Sequence, residues 1–422
     1  MLCYYLYMLY ERHTIKPILR SLRHNPAVLV SGARQVGKST LVEALANGTY
    51  TKAYTAHYMS LDDHAVLFAS SHDPFGFLDK YDGSIAIDEV QRNTALLMAI
   101  KRLVDTRKED GQFLLTGSAN ILTIPRVSES LAGRLILHTL WPLSQGEIKG
   151  VKEGFIDWAF TSDKLPLIKT KLTQAALIDM IIKGGYPRSL RAVDQADRIE
   201  WMQSYVSTLL QRDVLNLAKI EGLKDMPTIL SIIAERVGNL INFADIGRIT
   251  RINQVTVKRY YNLLQMIHLV VEVPAWVTSR EKRLAKSPKV YLNDTGLACY
   301  FKRLTQDDFM NNRATLGPLL ENFCLLELKK QASWHKQAPT IYHYRTQSGS
   351  EVDIVLEGQN KELVGIEVKA ATTIKKSDLA GINALKAMAG TAFKKGIILY
   401  TGDQVLALQH DIYALPINAL WD

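Results

Sequence analysis

The run Gly32-Ala33-Arg34-Gln35-Val36-Gly37-Lys38-Ser39 holds the residue types that a bound polyphosphate requires, in workable order. Gly32 and Gly37 let backbone N–H groups close around phosphate oxygens, Lys38 supplies a point charge for the β and γ oxygens, and Ser39 offers a hydroxyl to magnesium. The apolar run Ala27-Val28-Leu29-Val30 before the loop and the helical stretch Thr40 to Ala46 after it form a strand-to-helix setting. The positive end of that helix adds to the attraction for phosphate. The expected ligand is ATP with Mg2+, held by residues 32–40, Thr40 included.

Short apolar strands recur downstream at His57–Leu61, Ser84–Ile87, Gln112–Thr116 and Leu135–Thr139, separated by helical stretches such as Thr94 to Thr106. Strands alternating with helices predict a parallel α/β sheet covered on both faces. The second of these strands ends in Asp88-Glu89. Asp88 is expected to hold magnesium and Glu89 to polarise an attacking water. Thr116-Gly117-Ser118-Ala119-Asn120 closes the next strand, where a polar side chain could stand beside the γ-phosphate or simply form a strand-end turn. Arg134 directly precedes the last strand, at the rim of the sheet, from which it could reach a neighbouring subunit's nucleotide.

These stretches, with Ile85 to Arg92, Leu114 to Ser118 and Glu129 to Arg134, resemble the AAA+ ATPases that carry a C-terminal domain of unknown function, DUF4143. The resemblance covers essentially the whole chain. It implies a five-stranded sheet, with Arg134 where arginine fingers occur. A finger raises hydrolysis by about 10³ to 10⁵, so it also implies that the active form is a homo-oligomer.

Length and composition frame the rest. The 422 residues, 47% hydrophobic and 22% charged, suffice for about two to four packed domains. A formal net charge of +9 fits a polyanionic partner, for which DNA is the expectation. Three scattered cysteines, without CxxC spacing, argue against a disulfide framework or a zinc site and fit a reducing cytoplasm. The apolar residues 1–10 are too few for a bilayer span, and no longer apolar run follows, so no membrane domain is expected.

The pattern divides the chain into an AAA+ core at 1–145, a helical lid at 146–225, a winged helix-turn-helix at 226–300 and a C-terminal domain at 301–422. In the lid, Gly184-Gly185-Tyr186-Pro187 resembles the element that caps adenine in AAA+ relatives of the signal-transduction (STAND) type, which would put Pro187 against the base. A plain interhelical turn explains it equally well. In the third segment two helices, with Asn242 and Asn253 as candidate caps, precede the extended runs Leu269–Val273 and Lys289–Leu292. Lys258 and Arg259 fall on the expected recognition helix. Arg280, Lys282, Arg283, Lys286 and Lys289 crowd the expected wing against the single acid Glu281. Such a wing can follow a phosphate backbone, although winged helices also serve as packing modules.

The last segment offers Glu321 on a helix, Asp353 on a strand, and Glu367 and Lys369 two apart on the next strand. Period-two alternation puts Glu367 and Lys369 on one face. Order and spacing are similar to PD-(D/E)xK restriction-endonuclease-like nucleases. Glu321, Asp353 and Glu367 would then bind magnesium while Lys369 orients water or steadies the phosphate. Such a domain either cuts or only binds. Three readings therefore stand: an oligomeric ATPase acting on DNA, a STAND-like nucleotide-controlled switch, and an ATP-licensed Mg2+-dependent nuclease.

Overall fold

The computed structural model describes residues 9–118, 133–161, 164–210, 225–279, 281, 283 and 286–422. Strands β1 (Ala27–Ser31), β2 (His57–Ser60), β3 (Ile85–Asp88), β4 (Phe113–Gly117) and β5 (Leu135–Thr139) form a parallel sheet in the order β2-β3-β4-β1-β5. Because side chains alternate across a strand, Val28, Val30, Ala86 and Leu114 face one layer and Ala27, Leu29, Ile85, Ile87, Phe113 and Leu115 the other. Helices α1 (Ile15–Leu22) and α2 (Lys38–Ala46) cover the first face. α3 (His64–His72), α4 (Pro74–Asp79) and α5 (Thr94–Arg107) lie on the second. Such unbroken apolar strands are stable only when covered on both sides.

A helical stretch follows: α6 (Gln145–Lys149), α7 (Phe155–Thr161), α8 (Gln174–Lys183), α9 (Pro187–Leu190) and α10 (Gln195–Leu209). Ser144 and Glu147 form a reciprocal capping box at the start of α6. Next come α11 (Met226–Glu235), α12 (Phe243–Thr250) and α13 (Gln254–Met266), then the antiparallel pair β6 (Val270–Val273) and β7 (Lys289–Leu292). Asn242 caps α12 through the Asp245 N–H at 3.1 Å, and Asn253 caps α13 through the Val255 N–H at 2.8 Å. Register pairs Val273 with Lys289, and all four β7 residues are buried. This corrects one expectation: Lys289 lies inside, at the start of a covered strand, because β7 is enclosed along its whole length.

Helices α14 (Thr295–Lys302), α15 (Gln306–Asn311) and α16 (Leu316–Trp334) lead into a six-stranded sheet. Its strands are β8 (Thr340–Arg345), β9 (Glu351–Glu357), β10 (Leu363–Lys369), β11 (Phe393–Tyr400), β12 (Leu406–Gln409) and β13 (Ile412–Pro416), in the order β12-β13-β11-β10-β9-β8. α16 packs with one face, through Ile354, Leu356, Val364 and Ile366. α17 (Ala380–Ala389) packs with the other, where Ile382 and Leu385 meet Val352 and Val355. One apolar core runs from Val28 and Val30 of β1 through Ile178, Ile229 and Val290 to Leu325 and Ile366. The helical middle is thus part of a shared interior. Among the described residues no helix is long and apolar enough to cross a membrane.

The Gly184-Gly185 turn sits inside this core. Gly184 has φ +65, and the Gly185 N–H donates to Asp294 at 2.7 Å while its carbonyl accepts from the Leu143 N–H at 2.8 Å. A Cβ on Gly185 would come within 2.3 Å of the Leu143 carbonyl oxygen. Gly185→Ala is expected to cost about 1–3 kcal/mol, read as a lower denaturation midpoint; an unchanged midpoint would contradict this packing.

Candidate nucleotide site and the C-terminal carboxylate cluster

The loop leaves β1 at Ser31 and is held from behind. A Cβ on Gly32 would lie 2.2 Å from the Leu140 carbonyl oxygen, so only glycine permits this approach. Gly37, at φ +99, starts α2, and Gln35 also has positive φ. Buried Arg12 donates to the Val36 carbonyl at 2.9 Å and the Trp141 carbonyl at 2.6 Å, and pairs with Glu147 at 3.0 Å. Lys38 is buried with its ammonium on the Gly32 and Ala33 carbonyls at 3.0 and 2.9 Å. Ala33 and Val36 are buried beneath the loop, while Arg34, Ser39 and Thr40 retain solvent access. The loop is therefore shaped before any ligand arrives.

Asp88 ends β3 and is buried. Its two oxygens accept from the Thr116 hydroxyl at 2.6 Å and the Ser60 hydroxyl at 3.2 Å. Glu89, in the left-handed region at φ 57, donates its N–H to Thr116 at 2.9 Å, and its carboxylate accepts from the Gln91 amide, which also reaches Ser118 at 2.9 Å. Burial raises the Glu89 pKa above the usual carboxylate range; Lys38 opposes this and Asp88 adds to it. Ser39 hydroxyl and Asp88 carboxylate are the hard oxygen donors that magnesium accepts, so these residues fit the metal that the motif implies. Thr116 thus contacts both acids, while Ser118 anchors the Gln91 amide that reaches Glu89. Asn120 lies outside the described residues.

Arg134 pairs with Asp105 at 2.5 Å just before β5. Leu135 is opposite Ala27, the first residue of β1, so Arg134 stands at the end of the sheet away from its own phosphate loop.

The expected DNA contacts separate. Lys258 and Arg259 are exposed on α13, with Arg248 and Arg251 exposed at the end of α12 and the turn after it. Arg280 and Lys282 lie outside the described residues. Arg283 is instead turned onto the C-terminal sheet, donating to Glu357 at 2.8 and 3.1 Å and lying over the Tyr342 ring at 4.8 Å. Lys286 is exposed, its ammonium 3.4 Å from the Arg345 carbonyl.

In the C-terminal sheet Glu367 accepts from Lys369 at 2.8 Å, and Asp353 accepts from the Val368 N–H at 3.0 Å. Glu321 reaches the same region from α16, accepting from the Tyr291 hydroxyl at 2.6 Å. Sequence order thus brings Glu321, Asp353, Glu367 and Lys369 to one place. A further group enters with them. Lys289, only 3% exposed, places its ammonium 2.9 Å from Glu321, 2.5 Å from Glu351 and 3.3 Å from Asp353. Burial disfavours its charge, but the three carboxylates outweigh that and raise its pKa. Burial, reinforced by Asp353, pushes Glu321 up to about 7 and Glu367 up to about 8. Among the described residues no three His, Cys, Asp or Glu side chains are arranged to hold one metal ion. Of the expected metal set, Glu321 and Asp353 lie on the Lys289 ammonium, while Glu367 accepts from Lys369 through Oε1 and keeps Oε2 buried without a hydrogen-bond partner.

Comparison with known proteins gives a family match for the residues around the first site. Residues 24–149 match an AAA domain. Residues 174–308 match DUF8612 and residues 316–420 match DUF4143, both domains of unknown function. An uncharacterized protein of Mycobacterium tuberculosis is 28% identical over 98% of this chain and 85% of its own length, and one of Methanocaldococcus jannaschii is 21% identical over 84% and 77%. AMPPCP-bound DnaA from Aquifex aeolicus is a distant likeness, at TM-score 0.31 and 14% identity, covering 59% of this chain and 86% of that one.

Three residues around the AAA domain escaped the sequence reading. Arg12 acts through the backbone of Val36, and no motif marks it. Trp201 of α10 donates to the Gln35 side chain at 3.0 Å and stacks on Tyr205 with ring centroids 5.3 Å apart. Tyr205 in turn bonds Tyr186, the residue before Pro187, at 2.9 Å. Pro187 itself is the first residue of α9, so the lid turn is tied to the phosphate loop through aromatic side chains. His268, at φ 61 between α13 and β6, sets its Nε2 2.8 Å from the Ser31 hydroxyl. Burial and then Lys38 push its pKa down to about 4, so the imidazole is neutral at pH 7.

A histidine depressed in the folded state is protonated preferentially in the unfolded chain, so its stabilisation is complete above about pH 6.5 and is lost as pH falls toward 4. The loss is roughly 3 kcal/mol. His343, also pushed down to about 4 by burial, acts in the same window. Glu321 and Glu367, raised in pKa, act in the opposite sense over this range, so the test is a difference: the stability of wild type relative to His268→Asn, from denaturant unfolding, should fall by roughly 3 kcal/mol between pH 7 and 4, and a difference independent of pH would contradict the buried neutral imidazole.

Proposed function

We propose that the protein is an ATP-hydrolysing AAA ATPase that assembles as a homo-oligomer and acts on DNA. The observation that carries this is the preshaped loop at Gly32 to Ser39 facing Asp88 and Glu89 across Thr116. Loop N–H groups and Lys38 bind the triphosphate, the ammonium exchanging the Gly32 and Ala33 carbonyls for phosphate oxygens. Ser39 and Asp88 would hold magnesium, which supplies charge neutralisation to the transferring phosphoryl group. Glu89, desolvated and raised in pKa, orients a water toward the γ-phosphorus and accepts its proton as the bond to the β-phosphate oxygen breaks. Its left-handed backbone and its Gln91 contact fix that carboxylate beside β4.

Arg134 supports the oligomeric reading by its position: a guanidinium at the far end of the sheet serves a neighbouring copy's nucleotide. Support for DNA comes from the exposed cations Lys258, Arg259, Arg248 and Arg251, where α12, the turn and α13 are read as a helix-turn-helix and β6–β7 as its wing. A second reading, a nucleotide-controlled switch, is favoured by one observation. His268 brings the β6–β7 unit against Ser31 beside Lys38, where a bound triphosphate would disturb it.

Lys38→Ala is expected to abolish ATP retention and turnover in the purified protein; undiminished turnover would refute the phosphate site. Arg134→Ala should leave ATP binding intact and lower hydrolysis by about 10³ to 10⁵, whereas a switch working as a monomer would keep its rate. For DNA, affinity measured across salt concentration should fall on a log–log plot, and Lys258→Ala or Arg259→Ala should each reduce the slope by about 1. A salt-independent affinity would remove the helix-turn-helix as a phosphate contact.

A further inference from the structure

The similarity to metal-dependent nucleases in the order of Glu321, Asp353, Glu367 and Lys369 raises the question of what cation the C-terminal cluster takes. We propose that this cation is the ammonium of Lys289, delivered by the β6–β7 hairpin, rather than a divalent metal ion. Glu367 has one oxygen on Lys369 and the other, Oε2, buried without a hydrogen-bond partner, but the carboxylates that would have to complete a metal shell are drawn to Lys289. Asp353 gives one oxygen to Lys289 at 3.3 Å and the other to the Val368 N–H at 3.0 Å. The Glu321 oxygen that accepts from Lys289 at 2.9 Å also accepts from Tyr291 at 2.6 Å. Glu351, outside the nuclease-like order, is bound by Lys289 at 2.5 Å and so belongs to the same set.

The carboxylates also do not converge on one point as metal ligands do. Magnesium needs several oxygens converging at about 2.0–2.1 Å, and among the described residues no three His, Cys, Asp or Glu side chains converge in that way. Lys289 cannot swing away into water. It is 3% exposed, begins a strand whose residues are all buried, and is held in register opposite Val273. Its burial is tolerable only because its charge is matched on the spot, and the carboxylates need it for the same reason. The cluster therefore acts as an internal ionic tie between the helical middle of the chain and the C-terminal sheet, and the C-terminal domain has no metal-dependent cleavage.

The test uses the full-length protein without nucleotide, so its outcome does not depend on ATP turnover. Mn2+ binding is read by electron paramagnetic resonance, with thermal unfolding in parallel. Wild type is expected to show no Mn2+ binding that Asp353→Asn removes. A bound Mn2+ in wild type that disappears in Asp353→Asn overturns the proposal. Lys289→Gln, which keeps the stem and loses the charge, should melt several degrees lower in metal-free buffer and gain a Mn2+ site that Lys289→Gln/Asp353→Asn lacks. A Lys289→Gln protein as stable as wild type overturns it as well. If that variant does not fold, the wild-type and Asp353→Asn arms decide the matter.

Discussion

The charge of Lys289 must be met inside the protein, and the way it is met fixes how the parts of the chain sit together. An ammonium that enters the interior from β7 needs carboxylates at hydrogen-bond distance, and Glu321, Glu351 and Asp353 supply them from α16 and β9. Removing either side would leave uncompensated buried charge, which typically costs several kcal/mol. That mutual need, added to the continuous apolar core, makes the β6–β7 hairpin a fixed part of the C-terminal sheet's environment. Arg283 repeats the arrangement nearby with Glu357.

The same hairpin begins at the other site. His268 lies two residues before β6 and touches Ser31, while Lys289, paired with the last residue of β6, touches the carboxylates. Four residues of strand separate these points, about 13 Å at the usual rise. A short, buried, register-locked element thus spans the interval between the phosphate loop and the C-terminal cluster. Trp201 and the Tyr186–Tyr205 pair make a second link from the loop into the helical middle.

Arg12 and Lys38 place two positive charges against the backbone of the loop at Gly32 to Ser39. Arg12 braces the Val36 carbonyl and Lys38 rests on the Gly32 and Ala33 carbonyls, so these loop acceptors are satisfied by side-chain donors. The acids are handled alike: hydroxyls of Thr116 and Ser60 orient Asp88, and Gln91 restrains Glu89. Burial keeps the Glu89 pKa raised.

The sequence by itself determined the phosphate loop, the acids after β3, the α/β alternation and the approximate strand ranges, because each is written in contiguous residues whose local spacing carries the physics. It also placed Glu321, Asp353, Glu367 and Lys369 together, since strand alternation and order are local rules. Only the tertiary structure decided what those carboxylates bind. Lys289 read as one basic residue among several on a wing, and nothing in its neighbours reports that β7 is enclosed or that Val273 stands opposite. Arg12 and His268 were hidden for the same reason: each acts on a backbone or hydroxyl group far away in the chain. Charge compensation of this kind is settled by which side chains packing brings within about 3 Å, a distance that sequence separation does not encode.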